Sequence, residues 1–596
     1  MLLINLDVFA RFLFASPIRG VVELVALSIP ATLFLSLACV KLENRLIRAD
    51  VLANKLATKA AVFSNALKIL FTGIAIAIAV AIIVACIPEL AHSIKFAIYR
   101  GVEGEFVVPV WPLQVIVLLG SALLLAAEVI SLRTVGASWR VFFTLIAIIG
   151  VVGLLSSAAE SRHVVGAIAI GLMFVLIYLG LPVAYALMAA AAFGIAIIKN
   201  NVGVSAETLG LIATGAIGEY VFAAVPLFVL LGVIVGAANI GRDALQSVHW
   251  ALGRLVGGLA TSTVFANAVF AAITGISIAS AAIFSRIAVP PLIEQGYQAR
   301  FAVGLVAGSS VLGMLIPPSL LLIIYGLVAE VSINALFTAA IIPGIILTLA
   351  FVVFVTIVAT IKPTFAVQKT FTSHSAPLIG AREALLKSIP IGILILVTLG
   401  GIYGGVFTPT EAGAVGSMAA LILSLIMKRL RLIELLKLFV EAAQSSASIL
   451  SLILGASAFA IMLTLSGIPN ALGVWIADAG MGLMAYTLVY LLVLIVLGTV
   501  LDSTSILLVM LPLALPTVVG LNGDLIWFGI VTVIGVEIGL LTPPLGLSVF
   551  TIKSALDNQD ISLTDIFAGA FPFVLIMLTV SVLLIAMPDI SLYLVK

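Results

Sequence analysis

The chain has 596 residues, of which 63% are hydrophobic and only 9% charged, roughly a third of the charged fraction expected of a soluble domain. Apolar runs near twenty residues recur along most of the length, the length that crosses a bilayer core of roughly 30 Å as a helix, and the alternating segments of a membrane β-barrel are not the pattern seen. A net charge of +2 makes no electrostatic case for nucleic acid, and the two cysteines (Cys39, Cys86) and four scattered histidines (His92, His163, His249, His374) carry no disulfide framework or metal-ligand spacing.

Residues 1–131 form a first unit with apolar runs at Met1–Phe14, Val21–Val40, Ile69–Ile87 and Pro112–Ile130, which predict four transmembrane helices. The first run lacks a basic start and a small-residue cleavage site, so it reads as a helix that begins abruptly rather than a signal peptide. Lys41–Lys68 carries Lys41, Arg45, Arg48, Lys55, Lys59 and Lys68 against Glu43 and Asp50, which places it on the cytoplasmic side and predicts a helix lying along the lipid surface. Pro88–Pro109, with Glu89, Glu103 and Glu105, falls on the opposite side. Residues 132–163 read as a fusion linker: a basic stretch, one apolar helix at Val141–Leu155, then a polar run to His163. A single odd helix reverses the side on which the next unit starts.

From Val164 onward the chain is duplicated. Pro182 recurs as Pro409, Ala244-Leu245 as Ala471-Leu472, and Pro290 as Pro516, while Gly313-Met-Leu-Ile-Pro-Pro318 recurs as Gly539-Leu-Leu-Thr-Pro-Pro544, always at an offset of 226 or 227. Four coincidences in one register mean two copies of one fold: residues 164–364 and 390–596, joined by a cytoplasmic connection at 365–389. The first copy follows a weakly charged loop (Glu160, Arg162), whereas the second follows Lys362, Lys369, Arg382 and Lys387. The copies are therefore expected to be inverted with respect to one another.

Each Pro-Pro step deletes two backbone donors and breaks a helix, leaving carbonyls without partners. Such backbone is tolerated at membrane depth only where it is buried in protein or lines a polar cavity, and interrupted segments at matching positions of two repeats point to a binding site.

Gly400-Gly-Ile-Tyr-Gly-Gly-Val-Phe-Thr-Pro-Thr-Glu-Ala412, Leu-Ile-Pro-Pro-Ser followed by Tyr325-Gly326, and Glu537-Ile-Gly-Leu-Leu-Thr-Pro-Pro-Leu-Gly546 resemble the large membrane subunit of tripartite ATP-independent periplasmic (TRAP) transporters. Asp7-Val8, Arg11, Ser16-Pro17-Ile18, Glu23-Leu24 and Ile47-Arg48-Ala49-Asp50 resemble their small four-helix subunit. The resemblance covers nearly the whole chain. It departs from the family at Thr274-Gly275-Ile276-Ser277, where a run rich in Ser and Gly is usual, and in starting inside the first helix, which is then either short or preceded by further sequence.

The resemblance implies an all-α, multi-pass protein of the bacterial inner membrane, with a four-helix scaffold fused by one extra helix to an inverted-repeat, elevator-type transporter. It also implies a Na⁺-driven importer that receives a small organic anion, carboxylate or sulfonate, from a periplasmic substrate-binding protein. The absence of a Gly-x-x-x-x-Gly-Lys-Ser/Thr phosphate loop agrees with transport without ATP. Sodium wants oxygen ligands, which broken helices supply as carbonyls. One expected ion site joins Thr274 with carbonyls of Gly313, Ile316 and Pro318; its counterpart in the second repeat uses Gly498, Gly539, Thr542 and Leu545. Ser277 and Ser319 are candidates to bond a substrate carboxylate, or else bond back to their own helices. Asp502 and Glu537, acidic residues in apolar surroundings, are further candidates near the substrate, able to balance an ion, take a proton or pair with a backbone donor. The rival reading is a stand-alone sodium- or proton-coupled carboxylate carrier; an intramembrane enzyme lacks a nucleophile-and-base set. The substrate itself, whether C4-dicarboxylate, sialic or other sugar acid, 2-oxo acid or sulfonate, is left open.

Overall fold

The structure is a computed structural model that describes residues 1–49, 61–134, 161–215, 217–255, 257–361, 379–556 and 561–595. The fusion helix at Val141–Leu155, residues 50–60 of the surface segment predicted within Lys41–Lys68, and the first part of the 365–389 connection lie outside the described residues.

The first unit contains α1 (Leu2–Phe14), α2 (Val21–Leu42), α3 (Ala61–Lys95), a two-stranded hairpin of β1 (Tyr99–Val102) and β2 (Phe106–Pro109), and α4 (Trp111–Thr134). At 13 residues, α1 is shorter than the roughly 20 needed to span a bilayer, so three of the four predicted spans have that length by themselves. Sequence reading also missed the β-hairpin, whose Arg100 donates to Gly218 O at 2.5 Å and ties it to the first repeat. Helices α2 and α4 approach closely because Gly120 has no side chain; a Cβ there would lie 2.5 Å from Phe34 O. Small residues play this part in membranes, where apolar burial does not distinguish a neighbouring helix from lipid.

The first repeat runs α5 (Arg162–Leu179), α6 (Val183–Ile198), α7 (Val202–Gly215), α8 (Tyr220–Ala237) and the amphipathic α9 (Ile240–Leu252). A hairpin of α10 (Gly258–Thr274) and α11 (Ser277–Ile287) follows, then α12 (Val289–Glu294), α13 (Ala299–Leu315), the Pro-Pro break, α14 (Leu320–Val328) and α15 (Ile333–Ile361). The second repeat reproduces this order as α16 (Ala381–Tyr403), α17 (Pro409–Ile426), α18 (Leu432–Ser466), α19 (Ile468–Asp478), the hairpin α20 (Leu483–Gly498) and α21 (Ser503–Gly520), α22 (Leu525–Leu540), a break, α23 (Leu547–Ala555) and α24 (Leu563–Ala586). In the second copy the 35-residue α18 replaces the separate α7 and α8. Among the described residues, eleven helices are long and apolar enough to cross a membrane, or twelve if α13 and α14, bent by 42° at the break, count as one span.

The hairpin halves of the two repeats interlock. Gly304 on α13 meets Gly569 on α24 so closely that a Cβ on either would sit about 2 Å from the other helix's backbone. Phe351 and Phe354 pack edge-on against Phe573 with centroids 5.2 Å apart, and Tyr325 donates to Leu525 O at 2.6 Å. The opening helices of the repeats hold the first unit instead. Arg11 pairs with Glu411, which also closes the capping box at the start of α17; Asn5 donates to Ala414 O at 2.9 Å, Gln444 to Glu43 at 2.9 Å, and the Val183 N–H to Ile47 O at 3.0 Å.

Within the first unit, Lys41 on α2 lies 2.8 Å from Glu128 on α4, whose side chain is fully buried. Removing one partner of such a pair leaves an uncompensated charge, at a cost of about 3–5 kcal/mol, whereas replacing both with apolar groups is often neutral. Lys41→Met should therefore lower the thermal transition of the purified protein markedly, and Lys41→Met with Glu128→Leu should recover most of the loss; equal stability of the single and double variants would contradict the pair's role.

Candidate functional site

Hairpin 1 is stapled along its length. Asn267 on α10 accepts from Ser280 Oγ at 2.7 Å and donates to Ser309 Oγ on α13 at 2.6 Å, and Phe270 meets Phe284 edge-on. All three polar residues are fully buried. This cross-link was missed at sequence level, because its repeat equivalents are Val493, Ile506 and Gly535 and carry no polar signal.

The tip of hairpin 1 turns at Gly275, φ +64°, where a Cβ would lie 2.2 Å from Pro318 O. A side chain there is excluded twice, by the left-handed backbone and by the neighbouring carbonyl. Gly275 O accepts from the Leu320 N–H at 3.1 Å, and Gly313 faces the Ile276 carbonyl, 3.1 Å from where a Cβ would be. The fold thus brings Thr274, Gly313, Ile316 and Pro318 to one place. The carbonyls of Ile316 and Pro318 meet no hydrogen-bond donor among the described residues. Thr274 Oγ1 donates to Phe270 O at 3.0 Å, which uses its proton and leaves lone pairs.

Hairpin 2 is built alike, with its closest approach shifted. Gly498 and Gly539 are in backbone contact, a Cβ on either lying 2.6 Å from the Cα of the other. Gly539 O already accepts the Thr542 N–H at 3.0 Å, Thr542 Oγ1 donates to Ile538 O at 2.7 Å, and Leu545 O meets no donor among the described residues. Both Pro-Pro bonds, 317–318 and 543–544, are cis. The two breaks differ in depth: Pro317 and Pro318 are buried, Pro543 and Pro544 exposed.

Ser319 and Asp502 both serve as helix caps. Ser319 Oγ donates to Met314 O and accepts from the Leu322 N–H at the start of α14. Asp502 accepts the N–H groups of Thr504 and Ser505 at 3.0 and 3.3 Å and the Ser505 hydroxyl, the usual work of an aspartate at a helix start. Ser277 does something else. Its hydroxyl donates to Glu537 Oε1 at 3.2 Å, and Ser503 donates to the same oxygen at 3.1 Å. Ser503 is the repeat mate of Ser277, 226 residues on, so the offset could have identified it.

A cavity of about 930 Å³ lies between the opening helices and the hairpin body, lined in part by Glu219, Tyr220, Glu330, Asn334, Thr408 and Ser457. Arg286 donates to Ala555 O at 3.3 Å, joining the end of α11 to that of α23.

Small side chains at the two glycine contacts should act unequally. Gly539→Ala forces two backbones apart and should lower thermal stability by the ~1–3 kcal/mol of an overpacked core or more, whereas Gly313→Ala needs a shift of only a few tenths of an ångström. Equal melting temperatures for the two variants, measured on purified protein, would contradict this geometry.

Comparison with known proteins accords with this architecture. Residues 170–590 match the family model "Tripartite ATP-independent periplasmic transporter, DctM component", and residues 1–137 match its DctQ component. The chain is 33% identical over 375 residues to the C4-dicarboxylate TRAP transporter large permease protein DctM of Pseudomonas aeruginosa, covering 63% of this chain and 86% of that protein. It is 28% identical over 424 residues to the sialic acid large permease SiaM of Vibrio cholerae (70% of this chain, 96% of that protein), and 28% over 436 residues to the isethionate permease DctMQ of Oleidesulfovibrio alaskensis (71% and 65%). With both component models matched in one polypeptide of eleven or more spans, the chain belongs to the TRAP transporters, as a multi-pass inner-membrane permease that fuses the small and large subunits.

Proposed function

We propose that this permease imports an organic acid anion on a sodium gradient, receiving it from a periplasmic substrate-binding protein and moving the two hairpins as one body against a fixed frame. The observation that carries the reading is the convergence of the two repeats. Each hairpin tip is held against a Pro-Pro break by a glycine contact, and the breaks offer Ile316 O, Pro318 O and Leu545 O with no donor among the described residues. Carbonyls of this kind ligate Na⁺ without a formal counter-charge.

The interlocking of α13 with α24, of Phe351 and Phe354 with Phe573, and of Tyr325 with Leu525 O supports a single moving body. The attachment of the first unit to α6, α17 and α18 supports a frame. The carboxylate and sulfonate substrates in the relatives' names support an organic anion, delivered by a partner protein as in the family at large.

In proteoliposomes, candidate organic acids should be taken up only when both an inward sodium gradient and the cognate binding protein are present. Uptake by the permease alone would favour a stand-alone carrier. Thr542→Val, which removes a hydroxyl at nearly constant shape, should raise the sodium concentration for half-maximal uptake by several-fold, about 1 kcal/mol for one oxygen contact. An unchanged sodium curve would remove Thr542 from the site.

A further inference from the structure

Glu537 sits on α22 with no exposed surface, and its two carboxylate oxygens have opposite circumstances. Oε1 accepts the hydroxyls of Ser277 and Ser503 at 3.2 and 3.1 Å, while Oε2 is buried without a hydrogen-bond partner among the described residues. No lysine or arginine pairs with Glu537 there. Ser277 and Ser503 are the first residues of α11 and α21, helices of 11 and 18 residues. A helix N-terminus is equivalent to roughly half a positive charge, so two of them directed at one carboxylate favour its ionised form. What remains is a carboxylate oxygen in an apolar interior with no donor among the described residues, and an ionised group so placed costs several kcal/mol unless a cation or a proton neutralises it.

We propose that Glu537 Oε2 is the charged ligand of a cation site shared by the two hairpins, completed by the lone pairs of Ser277 and Ser503 and distinct from the carbonyl-lined positions at the two breaks. The inference rests on the sodium-coupled reading above and deepens it. Both hydroxyls donate their proton to Oε1 and keep lone pairs for a hard ion, which takes oxygen ligands of this kind. The site also answers an electrostatic difficulty: an organic anion brought to the hairpin tips would be repelled by a bare carboxylate, and a cation between them turns repulsion into attraction. Because one ligand comes from each hairpin and the third from α22, the ion binds fully only when both tips are seated.

The test is sodium binding itself, which needs neither the substrate nor the partner protein. Purified full-length protein in lipid nanodiscs is titrated with radiolabelled Na⁺ against a choline background, and bound ions per chain and apparent affinity are measured. Glu537→Gln should bind one ion fewer at saturation than the parent. Ser277→Ala with Ser503→Ala should weaken that ion by about tenfold or more. If Glu537→Gln fails to give monodisperse protein, the double serine variant decides in its place. A parent that binds no sodium overturns sodium coupling as a whole. A parent that binds sodium, with the same count and affinity in Glu537→Gln, or in the double serine variant where it decides, overturns the Glu537 site alone.

Discussion

Backbone-to-backbone approach at a few glycines is the constraint on which the rest of the hairpin region depends. At Gly498 and Gly539 the two helices are near enough that no Cβ fits, and at Gly275 the space a side chain would occupy is filled by Pro318 O. Two helices at this distance bring their main chains into direct contact, which longer side chains on either surface would prevent. Gly304 against Gly569 extends the same device to the interface that joins the two repeats. In a membrane, where lipid competes with protein for apolar surface, shape of this kind and polar cross-links carry the association.

Polar groups placed in that interior are disposed with care for their partners. Asn267, Ser280 and Ser309 satisfy one another across three helices, and Ser319 and Asp502 spend their oxygens on helix starts that would otherwise leave amide groups unpaired. The Oε2 of Glu537, like the hydroxyls of Thr517, Ser548 and Ser581, meets no hydrogen-bond partner among the described residues. A carboxylate held by one residue of each repeat also makes the two hairpin tips depend on one side chain, which internal symmetry alone does not require, since its counterpart in the first repeat is Val311.

The two repeats share an order of elements but have diverged where their surroundings differ. The first Pro-Pro break is buried and the second exposed, and α7 and α8 of the first copy are one uninterrupted α18 in the second. The first unit grips the opening helices through Arg11, Asn5 and Glu43, residues at or near its helix ends. These contacts involve neither hairpin.

Composition, the spacing of apolar runs and the offset of 226 or 227 between prolines and glycines were enough to determine a multi-pass helical protein with two copies of one broken-helix unit, because bilayer thickness and the chemistry of proline act locally. The same local rules located the breaks at Gly313–Pro318 and Gly539–Pro544 and marked Glu537 as an expensive residue. They could not distinguish a capping oxygen from a binding one: Ser319 and Asp502 turned out to hold helix starts, and Ser503 was overlooked although the offset pointed at it. Which oxygens converge depends on how α10, α11, α13, α21 and α22 meet, a matter of contacts between residues up to 260 positions apart. Only the tertiary structure decided that Ser277 and Ser503 donate to one carboxylate oxygen and leave the other bare, since hydrogen-bond partnership across that separation is set by packing and has no signature in local sequence.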